Sequence, residues 1–213
     1  MPGTGARGVD AEGRDREAGC CAVLYPAVAE AAGRVGATAI GLIGVGRSAG
    51  PNLAVDRVGI TYDDGRSLGD PSAPEQHTAA VVGDRPIPAR PLPDVVTRAA
   101  VEHDPIAGLS DALAAVPADA LRVVMTTWAL SRLRPEKRLR FVDRLEDAAV
   151  ARVVAWVSVE GVGVAPGVPT LGDRPASGHS IVGLTLFGGP APGSEALGRC
   201  WSRGRWLSWL VDS

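Results

Sequence analysis

The stretch Ala39–Arg57, AIGLIGVGRSAGPNLAVDR, constrains the fold of this chain more than any other. Ala39–Val45 is a short apolar run carrying Ile40, Leu42, Ile43 and Val45. Unbroken apolarity at this length suits a strand buried on both faces, as in a parallel sheet. Gly46, Ser48, Ala49 and Gly50 follow, all small, so the chain can turn tightly and bring its backbone close to a ligand. Pro51 is preset for a first helical turn, where its missing N–H is no loss. Strand, glycine-rich turn and helix start together would offer free N–H groups and a positive dipole end to a carboxylate or phosphate.

Three readings of this stretch stand side by side on pattern alone. The first is a nucleotide-type turn. S-adenosylmethionine (SAM)-dependent methyltransferases of the Rossmann-like class end their first strand in an acid–hydrophobe–G-x-G-x-G pattern. Gly44–Gly50 follows it with Gly44 in the place of the acid and Ser48 in the place of the middle glycine. The second is a nucleophile elbow: Gly46-Arg47-Ser48-Ala49-Gly50 satisfies G-x-S-x-G between strand and helix. Glu160 or Asp173 and then His179 follow in the chain order of an α/β-hydrolase triad. The third is an ordinary βα turn, which is rich in small residues in any α/β protein.

The 213 residues are enough for one α/β domain with a real core. A net charge of −2 gives no global attraction to nucleic acid or to an anionic membrane, so neither is expected as a partner. Met1–Gly19 is polar and rich in Gly, Arg and acids, which reads as a disordered tail preceding a single domain over residues 20–213. It has no apolar segment of the kind a secretory signal needs, and no later run is long enough to span a bilayer, so a cytoplasmic location is the default expectation. Cys20, Cys21 and Cys200 are an odd set that argues against a disulfide framework. The adjacent pair lacks metal-ligand spacing and His77, His103 and His179 form no cluster, so no metal is expected.

Along the chain, Ala22–Val35 reads as a helix with Val23, Ala27, Ala31 and Val35 on one face and Glu30 and Arg34 off it. After the glycine turn, Val58–Tyr62 and Ala79–Val82 read as strands with Ser67–Pro74 as loop, a β insertion that caps one end of the sheet. The prolines of Arg85–Pro93 make it an extended connector. Asp94–Val101 is a second main strand ending in Glu102-His103-Asp104-Pro105. Rossmann-type folds hold ribose hydroxyls with an acid at that strand end, which makes Glu102 and Asp104 candidates.

Leu109–Val116 reads as a short helix, Leu121–Thr126 as a strand, and Pro135–Val150 as an amphipathic helix whose face is Leu139, Val142, Leu145, Ala149 and Val150. Arg152–Val159 is a further buried strand ending at Glu160, followed by a Gly- and Pro-rich loop, Gly161–Gly178, placed as a pocket lid. Ile181–Phe187 and Ala196–Leu210 close the chain as a hairpin. Alternation in that hairpin explains the mixture of Arg199, Arg203 and Arg205 with Trp201, Trp206 and Trp209, which otherwise suggests RNA binding.

This order predicts a Rossmann-like, mostly parallel α/β sheet of the SAM methyltransferase type, with a terminal antiparallel hairpin and the β insertion after the glycine turn. It goes against the elbow. A hydrolase elbow follows several strands, its histidine lies after the last strand, and an oxyanion motif such as HGGG is absent upstream.

Several stretches resemble the domain-of-unknown-function 2332 family of bacterial, largely actinobacterial, proteins. They are LYPA at Leu24–Ala27, GRSAGPNL at Gly46–Leu53, Asp56-Arg57, Gly83-Asp84, Arg98, Asp104-Pro105, TTWALSRL at Thr126–Leu133, Arg138–Leu145, VAWVSVE at Val154–Glu160, and Arg203–Leu210. The resemblance runs over most of the chain from Cys20 and implies a SAM methyltransferase-type Rossmann fold, with the family's activity left open. Members of that family carry a helical region ahead of the glycine turn and a helix and strand between Asp104-Pro105 and Leu109, where this chain has only Ile106–Gly108. The absent strand would be the third, at a sheet edge.

The expected ligand is a small molecule, SAM or a related nucleoside. Gly46, Ser48, Gly50 and Asn52 would face its methionine end, and Glu102 or Asp104 its ribose. Asp56, Thr126, Thr127 and Glu160 stand where a pocket or substrate site would form. A methyltransferase, a non-catalytic or degenerate binding domain and a serine hydrolase using Ser48 are the three functions carried forward.

Overall fold

A computed structural model of the chain describes residues 8–189 and 193–212, with side chains from Cys20 onward except that of Ser202. Among these described residues ten strands form one mixed sheet between helices. The elements run α1 Gly8–Val35, β1 Ala39–Val45, α2 Ala49–Asn52, β2 Gly59–Tyr62, β3 Ser67–Gly69, β4 Gln76–Val81, β5 Asp94–Val101, α3 Leu109–Ala114, β6 Leu121–Thr127, α4 Pro135–Ala149, β7 Val154–Gly161, β8 Ser180–Phe187, β9 Gly193–Trp201 and β10 Trp206–Trp209. The strand order is β3-β2-β4-β10-β9-β8-β7-β6-β1-β5.

The parallel block β5-β1-β6-β7 carries the doubly wound pattern. The chain leaves β1 for β5 on one side, then crosses to β6 and β7 on the other. β1, β6 and β7 are buried on both faces, which explains their continuous apolar runs. α1 covers one face, with Ile40, Leu42, Val123, Met125, Val157 and Leu184 beneath it. α3 and α4 cover the other, over Ile43, Val45, Val124 and Trp156. Phe141 of α4 meets the Trp156 ring edge-on at 5.7 Å between centroids. β5 pairs only with β1 and ends the sheet, so it is half-exposed along most of its length.

Several expectations need correction. α1 starts at Gly8, inside the stretch read as a tail; residues 1–7 of that stretch lie outside the described residues. From Cys20 to Ala32 the helix is buried all round rather than along one face, because α2, the sheet and β4 all pack on it. Glu30 is buried with it and holds Arg34 one turn on, Oε1 to Nε at 2.8 Å. Ser67–Gly69 is a short strand paired with β2, not loop. The β insertion is part of the main sheet, since β4 runs parallel to β10.

The closing hairpin is a three-stranded meander. Arg203, in a left-handed conformation at φ 58°, breaks Ala196–Leu210 into β9 and β10. The buried face of α4 is Phe141, Leu145 and Ala149; Leu139 is 56% and Val150 90% exposed. The i, i+4 rhythm is set by Phe141, and that turns Leu139 outward. Finally, the Gly161–Gly178 loop sends Val162, Ala165 and Val168 into the core beside α4, and none of it lines the crevice described next.

Candidate functional site

In a doubly wound sheet the crevice opens at the carboxyl ends of the strands, where the strand order reverses. Here that point lies between β1 and β6, and a crevice of about 260 Å³ is found at it. The turn after β1 supplies Gly46, Arg47 and Ser48 as one wall. The end of β5 supplies Glu102 and His103. The end of β6 supplies Thr127, Trp128 and Ala129, and Arg132 and Arg203 close the rim.

The turn after β1 is shaped by close approach. Gly46 has φ +93°, and a Cβ there would meet the Ala129 Cβ at 2.7 Å. Its N–H donates to Val101 O at 2.9 Å, which ties the turn to the end of β5. Gly44 is equally fixed, because a Cβ would stand 2.8 Å from the Ala49 carbonyl oxygen. The chain folds back over the last residues of β1, so the acid that SAM methyltransferases carry at this point has no room. α2 is a single turn of four residues. The expected helix dipole is therefore negligible, and what the turn offers the crevice is Gly46, Arg47 and Ser48 themselves.

The β6 wall is held from behind. Trp128 is left-handed at φ 50°; its N–H donates to Val159 O at 3.0 Å and its Nε1 to Ser180 Oγ at 2.9 Å. Glu160, at the end of β7 and 1% exposed, accepts the N–H groups of Ala129 and Leu130 on Oε1 at 3.0 and 3.1 Å. It thereby caps the 3-10 turn Leu130–Arg132. Burial pushes its carboxyl up to about 7, against the pull of these backbone amides.

The sequence-derived site residues divide. Gly46, Ser48, Glu102 and Thr127 line the crevice together. Asn52 lies beneath it, its Nδ2 donating to Thr127 Oγ1 at 2.7 Å. Gly50 is exposed, and a Cβ there would meet nothing within 4 Å. Asp56 pairs with Arg98 on β5, whose Nε also donates to Leu53 O at 3.1 Å, a clamp between the α2 region and the sheet. Thr126 accepts from Trp156 Nε1 at 3.0 Å inside the core. Asp104 accepts the N–H groups of Ile106 and Ala107, at 2.9 and 3.2 Å, and these two amides hold its carboxyl below the usual range. It shapes the turn where Glu102 faces the crevice.

The serine triad is not assembled. Asp173 binds His179 Nε2 at 3.0 Å, and Arg199 Nε donates to the same Asp173 oxygen at 2.6 Å, but His179 does not line the crevice with Ser48. Trp128, Arg47, Arg132, His103 and Arg203 are wall residues that the sequence pattern does not single out. The TTWALSRL stretch held a signal for Trp128 and Arg132; Arg203 arrives from the β9–β10 turn, which sequence spacing does not connect to β1.

Among the described residues no group of His, Cys, Asp and Glu could hold a metal ion, and no helix is long and apolar enough to cross a membrane. A search of curated proteins and a search of solved structures gave no match. The sequence profile of a family described as an uncharacterized protein conserved in bacteria, DUF2332, matches in two segments, residues 11–108 and 100–209. The segments meet where Ile106–Gly108 joins β5 to α3, beside the sheet edge that β5 forms. Together they span nearly the whole chain, which therefore belongs to the DUF2332 family of uncharacterised bacterial proteins.

Proposed function

We propose that this chain binds a nucleoside-type small molecule in the crevice at the ends of β1, β5 and β6, with SAM as the specific candidate. The observation that carries the reading is the pairing of the glycine turn with Glu102 on adjoining walls at the strand-order reversal. A carboxylate at the end of the strand next to β1 suits a ribose diol. Gly46, with no side chain, lets the turn close against Ala129, so that the β1 and β6 walls meet at the crevice. Glu102 would hold the ribose, and Gly46, Ser48 and Thr127 would line the remainder.

SAM when bound supplies an electrophilic methyl group. The chain's part in a transfer would be to position two reactants, and that requires no general base. A second reading, a binding domain without catalysis, is favoured by Gly44. The contact with Ala49 excludes the carboxylate that organises the SAM site in relatives of this fold.

The test is a thermal unfolding scan with SAM, S-adenosylhomocysteine and adenosine. A ligand at 100 times its dissociation constant adds about 2.7 kcal/mol of apparent stability. The proposal expects an upward shift that Glu102→Ala, at an exposed position, diminishes. An equal shift in wild type and variant, or none with any nucleoside, overturns it.

A further inference from the structure

We infer that the crevice is built for a multiply charged anion, a phosphate or pyrophosphate group, held by Arg47, Arg132 and Arg203 with the amides of the turn after β1. The inference rests on the reading of this crevice as a nucleoside site, and it favours a nucleotide over SAM, whose sulfonium makes it a cation without phosphate.

The chain as a whole is slightly acidic, with 24 carboxylate residues against 22 cationic ones. Its crevice is the reverse: three arginines and His103 face a single carboxylate, Glu102. Several arginines elsewhere find partners. Arg34 binds Glu30 and Glu195, Arg98 binds Asp56, and Arg199 binds Asp173. Arg47, Arg132 and Arg203 make no ion pair and no side-chain hydrogen bond among the described residues. Three exposed cations around one cavity with a single carboxylate among them give it a net positive charge, which an entering anion offsets.

All three are exposed at the rim of the crevice, and the backbone fixes the position of one of them, Arg203. Among the described residues only three without a glycine's freedom have left-handed backbone, and two of them, Trp128 and Arg203, line this crevice. They also touch, with the Arg203 guanidinium 5.8 Å from the Trp128 ring centroid. Such costly conformations persist where the surrounding structure holds a group in a particular place. On the facing wall the N–H groups of Arg47 and Ser48 donate to no acceptor among the described residues. Successive free amides in a turn form a concavity that takes anion oxygens. One carboxylate would leave this wall positively charged. A phosphate brings close to two charges and three acceptor oxygens, which guanidinium groups meet in pairs of hydrogen bonds.

The experiment is isothermal titration of the full chain at low salt with inorganic pyrophosphate, ADP, adenosine and S-adenosylhomocysteine. It is repeated on the double variant Arg47→Gln/Arg203→Gln and on Arg140→Gln, an exposed arginine of the separate groove along α4. ADP is expected to bind about ten-fold more tightly than adenosine, and pyrophosphate to compete with it. The double variant should lose about that factor for both anions, and Arg140→Gln should lose nothing.

Equal affinity for ADP and adenosine overturns the inference and leaves the nucleoside reading standing. Arginine-dependent pyrophosphate binding that ADP does not improve on supports the inference and overturns the nucleoside reading. S-adenosylhomocysteine binding more tightly than ADP would make the preferred anion a carboxylate and overturn the phosphate. An equal loss in Arg140→Gln would reduce the effect to general surface charge, and no binding by any probe overturns both readings.

Discussion

Replacing Glu160 with glutamine isolates the cost of the buried carboxylate that shapes the β6 wall. Glu160 is 1% exposed, and burial raises its carboxyl from 4.5 to about 7. Because the folded value lies above the unfolded one, the unfolded chain gives up this proton first as pH rises. Stability from this group is therefore full below pH 4.5, falls between pH 4.5 and 7, and levels off above. That displacement is worth about 3 kcal/mol. Glutamine keeps an oxygen for the Ala129 and Leu130 amides. It also places an N–H₂ where Oε2 has no partner among the described residues, and it does not titrate. Urea unfolding of both proteins from pH 4 to 8 gives a difference curve in which every other titrating group cancels. The expected curve moves by about 3 kcal/mol in favour of Glu160→Gln between pH 4.5 and 7. A difference that stays flat with pH would refute the reasoning, since it would mean that Glu160 is ionised as easily in the fold as out of it.

Three further outcomes follow from the contacts. Gly44→Asp should cost 2 kcal/mol or more, roughly, by driving a side chain into the Ala49 carbonyl and burying a charge, whereas Gly50→Val, with nothing within 4 Å, should stay within about 1 kcal/mol; urea unfolding separates the two. Arg98→Ala should cost about 2 kcal/mol by leaving Asp56 half-buried without its partner and freeing the Leu53 carbonyl, read the same way. Ser48→Ala should leave both stability and any slow hydrolysis of p-nitrophenyl acetate unchanged; loss of such hydrolysis in the variant would revive the nucleophile elbow.

What the sequence made legible follows its physics. β1, β6 and β7 are buried on both faces, so their apolarity is continuous and their ends could be located, which in turn located the turn at Gly46; Glu102 came from the end of β5, an edge strand with a weaker pattern. α4 was legible as a helix but not in its facing, because one aromatic, Phe141, anchors it and Leu139 merely resembles a core residue. β3 is too short to carry a pattern, and the break at Arg203 depends on a backbone conformation that its residue type does not announce.

The site was half legible for the same reason. Strand ends can be read from the chain, but what folds back over them cannot. Glu160 stands one residue before the end of β7 and is used to cap Ala129 and Leu130, and Asp104 is used by its own turn. Arg203 reaches Trp128 only through the order of β8, β9 and β10 in the sheet.

The central claim is that ligand enters at the strand-order reversal. Amide chemical-shift mapping of the labelled chain, titrated with S-adenosylhomocysteine and with ADP, tests it most directly. The account predicts that the largest changes fall on Gly46–Ser48, Glu102, Thr127–Ala129 and Arg203. Changes centred instead on Lys137 and Arg140 in the groove along α4, or no saturable change with either ligand, would contradict it.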